Sequence, residues 1–155
     1  MAFASLLKKE DPITMLKQDH KRVSTLFKKL LSKKEPSLSQ RKELFKELNT
    51  ELTAHAEIEE KIFYPTLKAA KQTHSLILES YEEHHLVKFT LKELDEAPKD
   101  TEEWKAKLIV LQENIDHHVK EEERDLFIKA NRILNTEEKI ELGKKMKIMK
   151  EKLLI

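Results

Sequence analysis

The chain has 155 residues, a length that fits one domain with a sizeable buried core. Its 30 basic and 29 acidic residues leave a net charge of +1, which gives no general attraction to nucleic acid or to acidic membranes. It contains no cysteine, which excludes disulfides, thiolate metal ligands and iron–sulfur clusters.

The composition predicts an all-α fold, since one Gly, four Pro and 38% charged residues are typical of helical proteins. The first residues lack the basic start and the longer apolar stretch of a secretory signal. No run approaches the roughly 20 apolar residues needed to cross a bilayer. Together with the absence of cysteine, these features favour a cytoplasmic location and no membrane partner.

The periodicity of apolar residues predicts where the first two long helices lie. Asp11 followed by Pro12 is a good helix start, because a capping side chain precedes a residue whose φ is already helical. A second helix is predicted to begin at Ser37 or Ser39. Pro65 removes a backbone donor, so we expect it to kink or end that helix.

A third helix is predicted from about His74 to Glu96, and a fourth continues to about residue 134. Asp100 and Glu103 form a possible capping pair for the fourth helix. A shorter fifth helix is predicted over about residues 136–153. The short connections predict an antiparallel, up-down four-helix bundle over about 12–134, and the whole chain, 1–155, as a single domain.

Two segments repeat one pattern: H-A-E-I-E-E-K-I-F-Y at His55–Tyr64 and H-V-K-E-E-E-R-D-L-F at His118–Phe127. Each places a His and a Glu four residues apart, which is one turn of the same helix face. Imidazole and carboxylate groups are the ligands that iron, zinc and manganese accept. The repeat therefore predicts a metal site inside the bundle.

Six polar residues interrupt the apolar stripes of the four long helices. They are His20, His55, Glu59, His84, His118 and Glu122. Buried polar groups cost free energy unless they are satisfied, and ionised carboxylates cost much more. A metal cluster would satisfy all six, whereas a metal-free network of the same residues is the alternative that the sequence leaves open.

Other polar residues near these positions are expected to lie outside the site. Four glutamates point away from the stripes and are expected to be ordinary surface charges: Glu57, Glu60, Glu121 and Glu123. Three further histidines are expected at the surface or at helix contacts: His74, His85 and His117. Tyr64 and Tyr81 are expected to serve mainly in packing, with a hydrogen bond near the site as the alternative for both.

Four segments together resemble the signature of hemerythrin-like domains, also called HHE cation-binding domains. They are L-K-Q-D-H-K-R-V, H-A-E-I-E-E-K-I-F-Y-P, E-E-H-H-L-V and H-H-V-K-E-E-E-R-D-L-F, and the resemblance covers about residues 12 to 131. It implies a four-helix bundle around two non-haem iron ions with an oxo or hydroxo bridge. The same six residues would be the ligands, with Glu59 and Glu122 bridging the irons.

One position departs from the oxygen-carrying members of that family, which place two His four residues apart on the third helix. Position 80 here is Ser. Four imidazoles and two bridging carboxylates, with one bridging oxygen, leave about two of roughly twelve coordination positions open. His85, Tyr81 or water could fill the missing position. Ferritin-like sites need Glu-x-x-His on two helices, and only Glu82 with His85 has that spacing.

The resemblance and the donor count favour a protein that binds or reacts with O₂, peroxide or nitric oxide. Peroxidase-like, catalase-like or nitric-oxide-related activity is one possibility. The other is a non-enzymatic sensor or oxygen-binding protein that acts through a partner. The C-terminal helix is a possible contact surface for that partner, although packing against the end of the bundle is the simpler expectation.

Overall fold

The computed structural model describes residues 11–154, which form helices and no strand, so the all-α prediction is confirmed. The helices are α1 (Pro12–Leu30), α2 (Leu38–Ile58), α3 (Tyr64–Lys68), α4 (His74–Glu96), α5 (Glu102–Glu121), α6 (Phe127–Ile133) and α7 (Thr136–Leu153). The segment compared with secretory signals lies outside the described residues. Among the helices of residues 11–154, none combines the length and the apolar character needed to cross a bilayer.

The helix starts follow local capping chemistry. The Asp11 side chain accepts the backbone N–H of Thr14 at 2.9 Å, as the first helix prediction requires. Ser37 and Asn135 begin α2 and α7 with reciprocal capping boxes. These caps satisfy backbone donors that a helix start leaves without an internal partner.

The predicted capping pair of the fourth long helix is wrong by one residue. Thr101, and not Asp100, is the N-cap of α5, because its hydroxyl accepts the backbone N–H of Trp104 at 3.1 Å. The Trp104 side chain then donates to the carbonyl of Leu94 at 2.9 Å and is buried. The turn between α4 and α5 is therefore fixed by both a cap and a buried aromatic.

Helices α1 and α2 form one antiparallel hairpin, and α4 and α5 form another. In each hairpin, contacting residue numbers rise along one helix as they fall along the other. The contacting pairs are Asp19–His55 and Arg22–Glu51 in the first hairpin, and Glu83–His118 and Glu93–Lys107 in the second.

The core consists of two apolar clusters with a polar layer between them. One cluster, which includes Leu52 and Leu91, fills the end of the bundle that contains the α4–α5 turn. The other, which includes Phe63 and Phe127, fills the opposite end and reaches α7. Each long helix therefore buries apolar residues on both sides of its inward-facing histidine, which excludes water from the polar layer.

Helix α7 packs back on the bundle, against α1, α2 and the turn that follows α2. It buries Leu142, Gly143 and Met146, whereas Ile148 and Leu153 stay exposed. The C-terminal helix therefore packs against the bundle, which is the simpler of the two expectations for it.

The helix that carries Pro65 neither ends nor breaks at the proline. One π-helical turn, Glu59–Phe63, joins α2 to α3, and the helix continues to Lys68. A second π-helical turn, Glu122–Leu126, joins α5 to α6 without any proline. The change in helix geometry is thus linked to the repeated His-Glu-Glu segments, and proline is not its common cause.

Candidate metal centre

All six predicted ligand residues lie in the polar layer and are buried. The two glutamates are the most enclosed, with relative exposures of 0% for Glu59 and 1% for Glu122, and none of the four histidines exceeds 8%. The two long hairpins contribute three of these residues each. The structure therefore brings together every side chain that the interrupted stripes single out.

Glu122 faces one histidine from each hairpin. Its Oε1 atom lies 3.2 Å from His20 Nε2 on α1 and 3.3 Å from His118 Nε2 on its own helix. His118 and Glu122 are the i, i+4 pair that the sequence predicts to share one helix face. The carboxylate therefore connects the two hairpins.

Glu59 makes the equivalent arrangement with the other two histidines. Its Oε1 atom lies 2.9 Å from His55 Nε2, one turn earlier, and 3.3 Å from His84 Nε2 on α4. Carboxylates in this position are suited to bridge two cations, because each has a second oxygen. Two compact groups have ligand atoms within 4.8 Å of one another: His20, His55 and Glu122, and Glu59, His84 and His118.

Whether a cation fits this layer can be tested by asking which buried nitrogen and oxygen atoms lack a hydrogen-bond partner in the protein. Within residues 11–154, His20 Nε2, His55 Nε2, both oxygens of Glu59 and Glu122 Oε1 have no partner in hydrogen-bond geometry, although His20 and His55 lie at ion-pair distance from Glu122 and Glu59. Orphaned buried polar atoms are rare and costly. Since imidazole nitrogens and carboxylate oxygens are suitable ligands for iron, zinc and manganese, the residues present fit such cations.

The outward nitrogens of two histidines contact carboxylates in the first hairpin and at the second π-helical turn. His55 Nδ1 lies 2.8 Å from Asp19, and His20 Nδ1 lies 2.7 Å from Glu123. Hydrogen bonds of this kind fix the tautomer and ring orientation of a metal-binding histidine. Glu123 was expected to be an ordinary surface charge, and that expectation is wrong.

The other two histidines have matching partners. His118 Nδ1 lies 3.1 Å from Glu83, and His84 Nδ1 lies 3.4 Å from Glu60. Glu60 was also expected to be a surface charge, but it is drawn to the site and pairs with Lys88 at 2.7 Å. Each histidine thus directs Nε2 inward and has a carboxylate beside Nδ1.

The charges around His55 change its acid–base behaviour strongly. Burial alone would lower the pKa of His55, but the Glu59 charge and the hydrogen bond to Asp19 outweigh it and raise the pKa to about 10. Burial would raise the pKa of Asp19, but His55 and Lys150 lower it to about 2. In the metal-free protein this is therefore an ionised pair.

The His118–Glu122 pair shows the same competition between burial and the charge of the partner. Burial acts to lower the pKa of His118, yet the charge of Glu122 raises it well above the ordinary value. Burial acts to raise the pKa of Glu122, yet the attraction of His118 holds it well below its usual range. A cation that binds Nε2 must displace these protons, so metal binding and pH are coupled.

The two π-helical turns position the glutamates and the aromatic residues after them. The carbonyl of Glu59 accepts the backbone N–H of Tyr64, five residues on, and the carbonyl of Glu122 accepts that of Phe127. Such turns are frequent at functional sites. His20 stacks on Phe127, with centroids 5.8 Å apart and planes at 7°, while Tyr64 packs against His84 at 5.4 Å.

Tyr64 makes a hydrogen bond at the site, the alternative that the sequence leaves open beside simple packing. It is fully buried, donates its hydroxyl to Glu122 Oε2 at 2.6 Å, and lies 3.3 Å from His84 Nε2. Burial and the Glu122 charge raise the pKa of Tyr64 well above its ordinary value. It therefore presents a protonated hydroxyl to the site.

Neither of the two side chains predicted to fill the position of the missing fifth histidine contacts the proposed ligands. Ser80 donates its hydroxyl to the carbonyl of Leu76 at 2.8 Å. His85 is exposed, and the Tyr81 hydroxyl donates to the backbone of Glu60 at 3.2 Å, so neither predicted candidate reaches the ligands. The Tyr64 hydroxyl, by contrast, contacts both Glu122 and His84.

The remaining polar residues lie outside the centre, as expected. Glu57 pairs with Lys61 at 2.7 Å, and His117 pairs with Glu121 at 3.2 Å with 69% of the histidine side chain exposed. His74 is exposed and contacts the Lys68 carbonyl. The exposed His117–Glu121 pair has the same spacing as His118–Glu122, so spacing alone does not define a buried site.

A small cavity of about 30 Å³ adjoins the histidines on the side of the α4–α5 turn. Its walls combine the four histidines with apolar residues that include Val23, Leu52, Val87 and Ile115. That volume suits a water molecule or a diatomic gas and excludes larger organic molecules. Tyr64 packs in the opposite apolar cluster, so the cavity and the tyrosine lie on different sides of the histidine layer.

Comparisons with known proteins agree with this geometry. The model of the hemerythrin HHE cation-binding domain matches residues 11–130. A crystal structure of a hemerythrin HHE cation-binding domain-containing protein from Mycobacterium kansasii has a TM-score of 0.80, 29% identity, and covers 92% of this chain and 86% of that one. A DNA nickase from Nostoc sp. is 28% identical over 139 residues, which are 90% of this chain and 39% of the nickase.

Proposed function

Because this chain belongs to the hemerythrin HHE cation-binding domain family, we propose that its buried centre holds two non-haem iron ions and binds or reacts with O₂, peroxide or nitric oxide. The observation that supports this most is the set of orphaned nitrogen and oxygen atoms that converge in the polar layer. The proposed ligands are His20, His55, Glu59, His84, His118 and Glu122. Bound iron supplies one-electron chemistry and open coordination positions for a small ligand.

The protein side chains prepare and protect such a centre. Glu59 and Glu122 each face histidines from both hairpins, so both carboxylates would help to hold the two proposed cations. The carboxylates that contact Nδ1 of His20, His55 and His118 hold these imidazoles in one orientation and make them better ligands. The apolar clusters on both sides exclude water, which strengthens every charge interaction in the layer.

The size and the lining of the cavity favour a small ligand over an organic substrate. Its volume of about 30 Å³ and its Val, Leu and Ile walls favour an apolar diatomic molecule or peroxide over a larger compound. The Tyr64 hydroxyl, held against Glu122 on the other side, holds a proton close to the ligand set.

The direct test is metal analysis of the purified full-length chain, joined with its absorption spectrum before and after addition of azide or peroxide. We expect about two irons per chain and near-ultraviolet bands of an oxygen-bridged ferric pair that shift with azide. A protein that purifies without metal, takes up none from ferrous salts and keeps its melting temperature in chelator would overturn the proposal.

A non-enzymatic sensor or oxygen-binding protein is the second candidate. The exposed apolar side chains of Ile148, Leu153 and Leu154, on and beside α7, favour it, because exposed apolar side chains are available to a protein partner. Peroxide consumption by the iron-loaded protein separates the two: steady turnover supports an enzyme, and binding without turnover supports a sensor. We place either activity in the cytoplasm.

DNA cleavage is not part of the proposal, although one relative is a DNA nickase. This chain spans 39% of that protein, and its net charge of +1 gives no general attraction to a phosphate backbone.

A further inference from the structure

Asp19 differs from the other three carboxylates that contact the outer nitrogens of the histidines. Its side chain is 5% exposed, whereas those of Glu60, Glu83 and Glu123 are 21% to 36% exposed. A carboxylate this deeply buried needs more than one favourable contact to remain ionised. Asp19 has three, because its Oδ2 atom meets His55 and its Oδ1 atom meets both Arg22 and Lys150.

Lys150 reaches this position from α7, 131 residues away in the chain. Its side chain is 21% exposed, and the helix around it is held to the bundle by Leu142 and Met146. Arg22, by contrast, is 43% exposed and is shared with Glu51. Lys150 is therefore the more enclosed of the two cations on Asp19.

We propose that Lys150 is a positioning residue for the metal centre, which acts through Asp19 on His55 and makes the two metal positions unequal. This inference rests on the proposed di-iron function. The ammonium holds one oxygen of Asp19, so the other oxygen stays aimed at His55 Nδ1. The positive charge also limits how much negative charge Asp19 shifts onto the imidazole, and thus how strongly His55 favours the ferric state.

The second hairpin lacks this device. Glu83 makes the corresponding contact with His118, but within residues 11–154 it forms no ion pair with Lys or Arg. Glu60, beside His84, pairs with Lys88, whose side chain is 42% exposed and therefore well screened by solvent. Within residues 11–154, α7 thus forms an ion pair with only one of the four carboxylates beside the histidines, Asp19.

The test compares Lys150→Met with Lys147→Met in the full-length, iron-loaded protein. Lys147 is exposed on the same helix, so both variants lose one positive charge. Three measurements are made: the rate of iron loss to a chelator, the reduction potential, and the Mössbauer spectrum of the ⁵⁷Fe-loaded protein. Lys150→Arg tests rescue, and Asp19→Asn serves as a second variant of nearly unchanged shape.

For Lys150→Met we expect one of the two irons to leave at least about threefold faster, below the roughly 10- to 100-fold effect expected for Asp19→Asn, which removes the negative charge of the direct partner of His55. The potential should fall, and one of two Mössbauer doublets should change. Lys147→Met should match the wild type, and Lys150→Arg should restore the rate of iron loss, the potential and the spectrum.

Two failures are distinguishable. If the wild type holds no iron pair, the proposed function is wrong. If the wild type holds two irons, but Lys150→Met matches Lys147→Met in iron loss, potential and spectrum, the centre stands and the role of Lys150 is wrong.

Discussion

The two hairpins build their halves of the metal centre in nearly the same way. In the first, Asp19 precedes His20, and the His55–Glu59 pair is followed by Tyr64. In the second, Glu83 precedes His84, and the His118–Glu122 pair is followed by Phe127. The corresponding contacts match: Asp19–His55 with Glu83–His118, His20–Glu123 with His84–Glu60, and His20–Glu122 with His84–Glu59.

The halves differ where one has a polar atom that the other lacks. Tyr64 donates a hydroxyl to Glu122, whereas Phe127, at the equivalent position, stacks on His20 without a polar contact. Asp19 is buried under Lys150, whereas Glu83 lies nearer to solvent. The comparison teaches that the ligand set is symmetric and that the surrounding residues make the two positions chemically different.

The largest expected effect follows from removing what the halves share. Glu59→Ala with Glu122→Ala should abolish binding of both cations, because each carboxylate faces histidines from both hairpins. Metal content after reconstitution with ferrous iron is the measurement. The matched control is Glu121→Ala, which removes the exposed partner of His117 at the same spacing. Equal metal content in the double variant and the control would contradict the proposed ligand set.

A single-histidine change should separate the halves. His84→Ala removes one imidazole from the second group and should leave about one tightly bound iron per chain, with loss of the near-ultraviolet bands of the pair. His85→Ala, one residue on and exposed, is the control and should keep both irons. Two tightly held irons in His84→Ala would show that this histidine is not a ligand.

The pH dependence should reveal the proton that metal displaces. The folded, metal-free protein holds the pKa of His55 at about 10, raised from an ordinary 6.5. Its contribution to stability is therefore complete below about pH 6.5 and is lost as pH rises through about 10. Bound metal replaces that proton, so the affinity of the site for metal increases as pH rises.

The difference in melting temperature between metal-loaded and metal-free protein should accordingly widen across that pH range. Comparing the two forms at each pH cancels the groups that titrate alike in both. A difference that narrows as pH rises would contradict the assignment of His55 as a ligand that carries a proton in the metal-free state.

The smallest effect should come from making the halves alike. Tyr64→Phe copies Phe127 and removes a hydrogen bond to an ionised carboxylate, worth roughly 1.5–3 kcal/mol, while both irons stay bound. We expect a changed absorption spectrum and a changed rate of reaction with peroxide. Tyr81→Phe, which loses only a contact with the Glu60 backbone, is the control. Identical spectra and rates in wild type and Tyr64→Phe would remove the role assigned to its hydroxyl.

The helices and the inward-facing residues were accessible from sequence because both depend on local periodicity. His55 and Glu59 share a face at i, i+4, and His74–Glu96 was predicted with the bounds that the structure has. Capping chemistry was accessible for the same reason, apart from the choice between Asp100 and its neighbour Thr101.

The surrounding residues were not accessible, because their roles depend on helix irregularity or on distant packing. A π-helical turn begins at Glu59 and at Glu122, and Glu60 and Glu123 beside them contact histidines of the other hairpin. Regular helix geometry gave no reason to expect this. Lys150 meets Asp19 across 131 residues, and no local pattern indicates such a contact.

The most direct test of the central claim is an anomalous-scattering map, collected at the iron absorption edge from crystals of the iron-loaded protein. We predict two peaks per chain, one among His20, His55 and Glu122 and one among Glu59, His84 and His118. A map with no peak in the buried layer, or with iron only at the exposed Glu83–His117–Glu121 group, would contradict the account.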